Sequence, residues 1–124
     1  MDAKPKFSVI YSEEVINFLN TLPEKAKAKV MFNVSKARYN QDPKLFKKLV
    51  GTDIWEFRTL YNGIQYRLLS FWDSDTNTYV ITTNGFVKKT QKTPQKEIDR
   101  ATAIREEYFK NKKNCTRFKI FSFI

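Results

Sequence analysis

Histidine is absent from all 124 residues. With it go the usual general base at neutral pH, the commonest metal ligand and every Ser-His or Cys-His nucleophile pair. The single cysteine, Cys115, cannot close an internal disulfide, which fits a reducing compartment. No apolar run approaches the roughly 18–20 residues that span a bilayer. The opening "MDAKPKFSVIYS" lacks the apolar stretch of a secretory signal, so a cytoplasmic protein with no membrane partner is expected. There is no Gly-rich phosphate loop, GxSxG, HExxH or CxxC, and no carboxylate pair placed for glycoside chemistry. Three glycines and four prolines leave little room for long irregular loops.

What is present is positive charge and aromatic surface. Lys and Arg number 23 against 13 Asp and Glu, a net charge of +10 with a pI near 9.7. An excess of that size repels itself in a compact chain and points to a polyanionic partner, nucleic acid first. Apolar residues make up 41% and aromatics 15%, enough for one globular domain with a core of its own.

"FSVIYS" (7–12) reads as a first strand. Ser12 can cap a helix whose first turn carries Glu13 and Glu14, placed to complement the dipole. Val15, Ile16, Phe18 and Leu19 give that helix its apolar spacing. A second helix is expected from Thr21 and Glu24 in capping-box spacing, with Pro23 in its first turn. Ala26, Val30, Val34 and Ala37 form its apolar stripe, Lys25, Lys27, Lys29 and Lys36 face mostly elsewhere, and it stops before Pro43. After Gly51 the period becomes two. Trp55, Phe57 and Thr59 share one face, while Ile54, Glu56 and Arg58 share the other. Asn62-Gly63 predicts a tight hairpin turn, "IQYRLLSFW" the returning strand and "TYVITTNGFV" a third. Thr93-Pro94 opens a last helix with Ile98, Ala101, Ile104 and Tyr108 on one stripe. The order β-αα-βββ-α describes an α+β domain: a small antiparallel sheet, an N-terminal helical hairpin and a C-terminal helix. The domain is expected to span residues 1–110. Residues 111–124 form a basic, aromatic tail ending "FKIFSFI", an extra strand, a docking segment or a poorly ordered end.

The chemistry available is cationic. Arg58 and Arg67 flank the Asn62-Gly63 turn on neighbouring strands, so they can share a sheet face, either as a functional pair or as partners of Glu56. Lys88, Lys89 and Lys92 crowd between the third strand and the last helix. There, backbone N–H groups with the Thr90 and Thr93 hydroxyls can hold a phosphate oxygen. A solvated loop is the plainer alternative. Tyr66 can stack a base, although its alternation opposite Arg67 favours the core.

"LFKKLVGTDIWEFRTLYNGIQYRLLSFW" followed by "TNGFVKKTQKTPQKEIDRA" resembles the RelE/HigB superfamily of type II toxins, in its phage-derived HigB-like branch. The resemblance spans about 7–110 and is most specific in "GFVKKTQKTPxxEIxxA". It implies a RelE-like fold and a ribosome-dependent mRNA interferase, an endoribonuclease that needs neither metal nor cofactor and inhibits translation. Cleavage would proceed by attack of the substrate 2′-OH. The implied partners are the ribosome, mRNA and a helix-turn-helix antitoxin. On this resemblance Arg58, Arg67, Lys88 and Lys89 are the catalytic candidates. Lys47, Lys48, Asn84, Gln91 and Lys92 are the RNA-binding ones. Val50 stands where the family often has lysine and Asn84 where it often has histidine, which leaves the general base open. A ParE-like gyrase inhibitor and a non-catalytic nucleic-acid-binding module are the alternatives.

Overall fold

The computed structural model describes residues 4–40, 42–75, 78–111 and 118–121. Cys115 and most of the basic stretch before the aromatic tail lie outside them. The chain begins with β1 (Ser8–Ser12) and passes directly into α1 (Glu13–Asn20). Ser12 makes that junction: its hydroxyl accepts from the Val15 N–H at 3.1 Å and donates to the Thr83 carbonyl at 3.0 Å. The cap expected from sequence is therefore also a tie to a distant strand. α2 (Glu24–Tyr39) follows, but not through a capping box. Pro23 occupies the N-cap position without a side-chain hydrogen bond, and the Thr21 hydroxyl turns back to the Phe18 carbonyl. Only three residues separate α1 from α2, so Thr21 closes the first helix instead of opening the second.

A short strand, β2 (Phe46–Lys48), precedes the meander of β3 (Trp55–Tyr61), β4 (Ile64–Trp72) and β5 (Tyr79–Lys88). Asn62 and Gly63 take φ of 54° and 76°, the positive values that a tight hairpin turn demands. α3 (Gln95–Lys110) and β6 (Phe118–Phe121) complete the order. The sheet runs β2-β3-β4-β5-β1-β6. The meander is antiparallel as expected, while β1 lies parallel to β5 and antiparallel to β6. Burial explains the inner position of β1. Val9 and Tyr11 point into one core and Ile10 into the other, and a strand apolar on both faces is stable only between covered layers.

The two cores are the two sides of the sheet. On one, α1 and α2 bring Val15, Leu19, Ala26, Val30, Val34 and Ala37 against Phe57, Tyr66, Leu68 and Val80. Tyr66 thus takes the packing role its alternation suggested. On the other, Ala101 and Tyr108 of α3 pack on Leu69, Phe71, Ile81 and Phe86. Arg100 of α3 also forms an ion pair with Glu14 in the first turn of α1, joining the helical layers across the sheet.

α1 approaches β5 at Gly85, where there is no room for a side chain. A Cβ there would lie 2.4 Å from a Phe18 ring carbon and 2.8 Å from a Leu68 methyl. Gly85→Ala should lower stability by about 1–3 kcal/mol through overpacking, read as a reduced midpoint in urea denaturation with the slope unchanged.

Candidate functional site

The Asn62-Gly63 turn fixes the register of β3 against β4, and that register sets Arg58 directly opposite Arg67. Across the next ladder Arg67 faces Phe86 and Gln65 faces Lys88. Because alternate residues share a face, Arg58, Arg67, Gln65 and Lys88 emerge together from three adjacent strands, on the α3 side near the hairpin end. Two like charges directly opposite on a sheet repel each other. This pair therefore needs a counter-charge.

Glu56 supplies it. Two residues before Arg58 and on the same face, its side chain is only 2% exposed. Oε1 lies 3.4 Å from the Nε of both Arg58 and Arg67, and Oε2 accepts the Thr93 hydroxyl at 2.6 Å. Arg67 is further held by donating to the Tyr66 carbonyl at 3.1 Å and to Gln65 Oε1 at 2.6 Å. Its side chain is 6% exposed and that of Arg58 31%. Arg58 therefore presents its head to solvent, with Arg67 behind it. One carboxylate against two guanidiniums leaves the cluster net positive.

Lys88, the last residue of β5, adds another cation to this field. Burial pushes its amine below the ordinary lysine value; Glu56 opposes the shift, and Arg67 and Arg58 reinforce it. The guanidinium of Arg67 is likewise lowered by burial, with Glu56 pulling it back up and Arg58 lowering it further. A lysine in this state exchanges its proton more readily near neutral pH than a solvated one.

These groups open into a cleft of about 1080 Å³. Arg58, Arg67, Lys88, Lys89 and Gln91 all line it. Lys29 and Lys36 of α2 and Lys44 before β2 complete a cationic wall, and no acidic side chain lines it among the described residues. Their role was hidden in the sequence as the polar face of a helix. The only signal was the spacing of Lys29, Asn33 and Lys36, which repeats along one helical face.

Other expected positions fall elsewhere. Lys92 is exposed and stands off the cleft. Lys47 is exposed on β2 opposite Glu56, and Lys48 lines a separate cavity. Asn84 is 1% exposed: its amide donates to Glu97 Oε1 at 2.9 Å and its oxygen accepts the Thr83 hydroxyl at 2.6 Å. It braces the start of α3 and has no free group for RNA. The phosphate cradle expected from Thr90 and Thr93 is also replaced by internal bonds. Thr90 donates to the Lys92 carbonyl and Thr93 to Glu56. Among the described residues no cluster of His, Cys, Asp and Glu could hold a metal ion, and no helix is long and apolar enough to cross a membrane.

Residues 17–106, from within α1 through most of α3, match the model of the family described as phage derived protein Gp49-like. No curated protein matches the chain. Among solved structures, the chain is similar to the E. coli toxin RelE, determined as a double arginine-to-alanine mutant in the free state. The identity is 14% and the TM-score 0.58, over 82% of this chain and 98% of that one. The shared fold is the one the "WEFR…YRLL" and "GFVKKTQKTP" words led us to expect.

Removing the counter-charge tests the site's architecture. Glu56→Ala leaves Arg67 buried without its carboxylate and should cost about 3–5 kcal/mol of stability, measured by urea denaturation. Glu56→Gln, which can still accept the Thr93 proton, should cost less.

Proposed function

We propose that this chain, which belongs to the phage-derived Gp49-like family, of the RelE/HigB toxin type, is a toxin that cuts mRNA on the ribosome. The observation that carries the reading is the Arg58–Arg67 pair on a shared buried carboxylate, beside Lys88, in a cleft walled by cations. Such a site suits a phosphodiester and the extra negative charge that develops on it as its bond is cut. Guanidinium forks also match the geometry of phosphate oxygens.

The step balances without metal or cofactor. The 2′-oxygen attacks the adjacent phosphorus in line, and its proton passes to Lys88 when that amine is in its neutral form. The bond from phosphorus to the 5′-oxygen breaks, giving a 2′,3′-cyclic phosphate and a 5′-hydroxyl. The departing oxygen takes its proton from water in the open cleft. Arg58, the more exposed of the pair, contacts the phosphate oxygens. Arg67, held by Glu56 and Gln65, keeps the positive field in place behind it. The wider cleft, with Lys29, Lys36 and Lys44, carries the flanking strand. The ribosome supplies the remaining orientation of the substrate, and a cognate helix-turn-helix antitoxin masks the cleft until the toxin is released. The site belongs to the domain at residues 1–110, in a cytoplasmic protein.

Purified protein added to translating ribosomes should produce mRNA fragments with cyclic phosphate and 5′-hydroxyl ends. Arg58→Ala should reduce the cleavage rate by about 10²–10³-fold while the protein stays folded. DNA-gyrase inhibition without mRNA cuts, or RNA binding without cutting, would overturn the reading.

The pH dependence follows from the lowered Lys88 amine. The base is its neutral form, so the rate should climb with pH through a value below that of an ordinary lysine. Lys88→Arg keeps the charge but cannot release a proton at these pH values. It should retain substrate binding while losing that ascending limb.

A further inference from the structure

We propose that the cleft is only one end of an RNA track: a second cavity, walled by Trp55 and Trp72, receives a base of the same single strand further along. The inference rests on the reading of the cleft as an RNA site, but concerns residues that take no part in cutting.

The cavity measures about 430 Å³. The tryptophan rings in its wall meet edge to face, with centroids 6.1 Å apart and planes at 79°. Both are only partly buried, so each anchors in the core while leaving some surface open. Trp55 is fixed from behind by Phe46, at a centroid distance of 4.8 Å. Preformed, partly open indole surface stacks any base with little sequence preference, worth about 1–3 kcal/mol per base. Lys48 stands opposite Trp55 in the β2–β3 register and lines the same cavity. Arg105 of α3 enters from the other side. Its guanidinium lies over the Phe109 ring at 5.1 Å, and its ion pair with Asp53 is loose at 3.9 Å with the Asp53 side chain 71% exposed, which leaves the edge of the fork to meet a phosphate. Aromatic surface flanked by two cations is what a nucleotide requires.

The path to the cleft is also cationic. Lys44 lines the cleft and Lys48 the second cavity, while Lys47, between them in sequence, is exposed on the face of β2 opposite Lys48. These lysines follow the outer edge of the sheet, since β2 has only β3 as a neighbour. Four residues of extended chain cover at most about 13 Å, a short step for a nucleic-acid backbone. Continuity with the cleft and a matching charge therefore favour one RNA strand as the occupant, over an acidic protein segment.

The chain has two tryptophans, and both wall this cavity, so intrinsic tryptophan emission reads it directly. The probe is a short oligoadenylate, 2′-O-methylated to prevent cleavage and labelled at one end for anisotropy. Binding should quench tryptophan emission and weaken steeply with salt. The double variant Lys48→Gln/Arg105→Gln should lose affinity about tenfold, and Trp72→Phe, which keeps an aromatic ring in place, should lose much of the quench. If anisotropy rises with no change in emission, the strand occupies the cleft alone. That result defeats the track and leaves the cleft reading standing. Unchanged affinity in the double variant defeats it as well. Equal quenching by oligoglutamate would show a surface that reads charge without stacking, and would equally overturn the proposal. Absence of any oligonucleotide binding would defeat both readings together.

Discussion

A carboxylate with 2% of its side chain exposed, facing two guanidiniums, is the contact on which the candidate site depends. Without Glu56, the β3–β4 register would bring Arg58 and Arg67 into direct opposition in a poorly solvated place. With it, the same register becomes useful: one negative charge holds two positive ones at fixed positions and leaves a surplus for a ligand. Burial ordinarily makes an ion pair a weak source of stability, because desolvation offsets much of the attraction. Arranging positive charge at a site is a different task, and there the buried carboxylate has a purpose that an apolar substitute could not serve.

The second oxygen of Glu56 extends its influence past the arginines. By accepting the Thr93 hydroxyl, it fastens the segment between β5 and α3 to the sheet. Lys88 and Lys89 lie at the start of that segment, so their position is coupled to the same carboxylate. From the other end, Asn84 grips Glu97 in the first turn of α3. The lysine-bearing connection is therefore held at both ends by side chains that never reach the cleft. Self-repulsion among so many cations would otherwise spread this loop into solvent.

Sequence conveyed the local part of this arrangement well. Asn62-Gly63 declares a turn through its own backbone preference, and once the turn is placed, the Arg58–Arg67 pairing follows by counting. The bounds of β4 and the apolar stripe of α3 follow from period alone. What escaped was set by distant partners. β2 has three residues, too few to establish an alternation, and exists because β3 offers it an edge. β1 looks like any short apolar strand. Its place beside β5 depends on two helical layers meeting across the sheet, which no window of residues displays. Thr21, Thr90 and Thr93 each carry a hydroxyl suited to capping or phosphate. Their actual partners are decided by what lies within 3 Å after folding. The lysines of α2 read as a solvated face because only the closed domain reveals what that face overlooks.

Asn84 marks a position where this chain departs from the family it resembles. Members of the resembling family often carry a histidine there, the side chain best suited to proton transfer at neutral pH. In this chain the position is enclosed and its amide is used on both sides, by Thr83 and by Glu97. An amide cannot exchange a proton as an acid or base, so this position supplies no proton-transfer group. Two groups lining the cleft have a lowered proton affinity, Arg67 and Lys88, and of these the lysine starts from the lower ordinary value. Its shift arises first from burial and then from the balance between Glu56 and the two arginines. The buried carboxylate that holds the two arginines therefore also tempers how far Lys88 departs from an ordinary lysine. Changing Glu56 alters both the positive field of the cleft and the readiness of the nearby amine to take a proton.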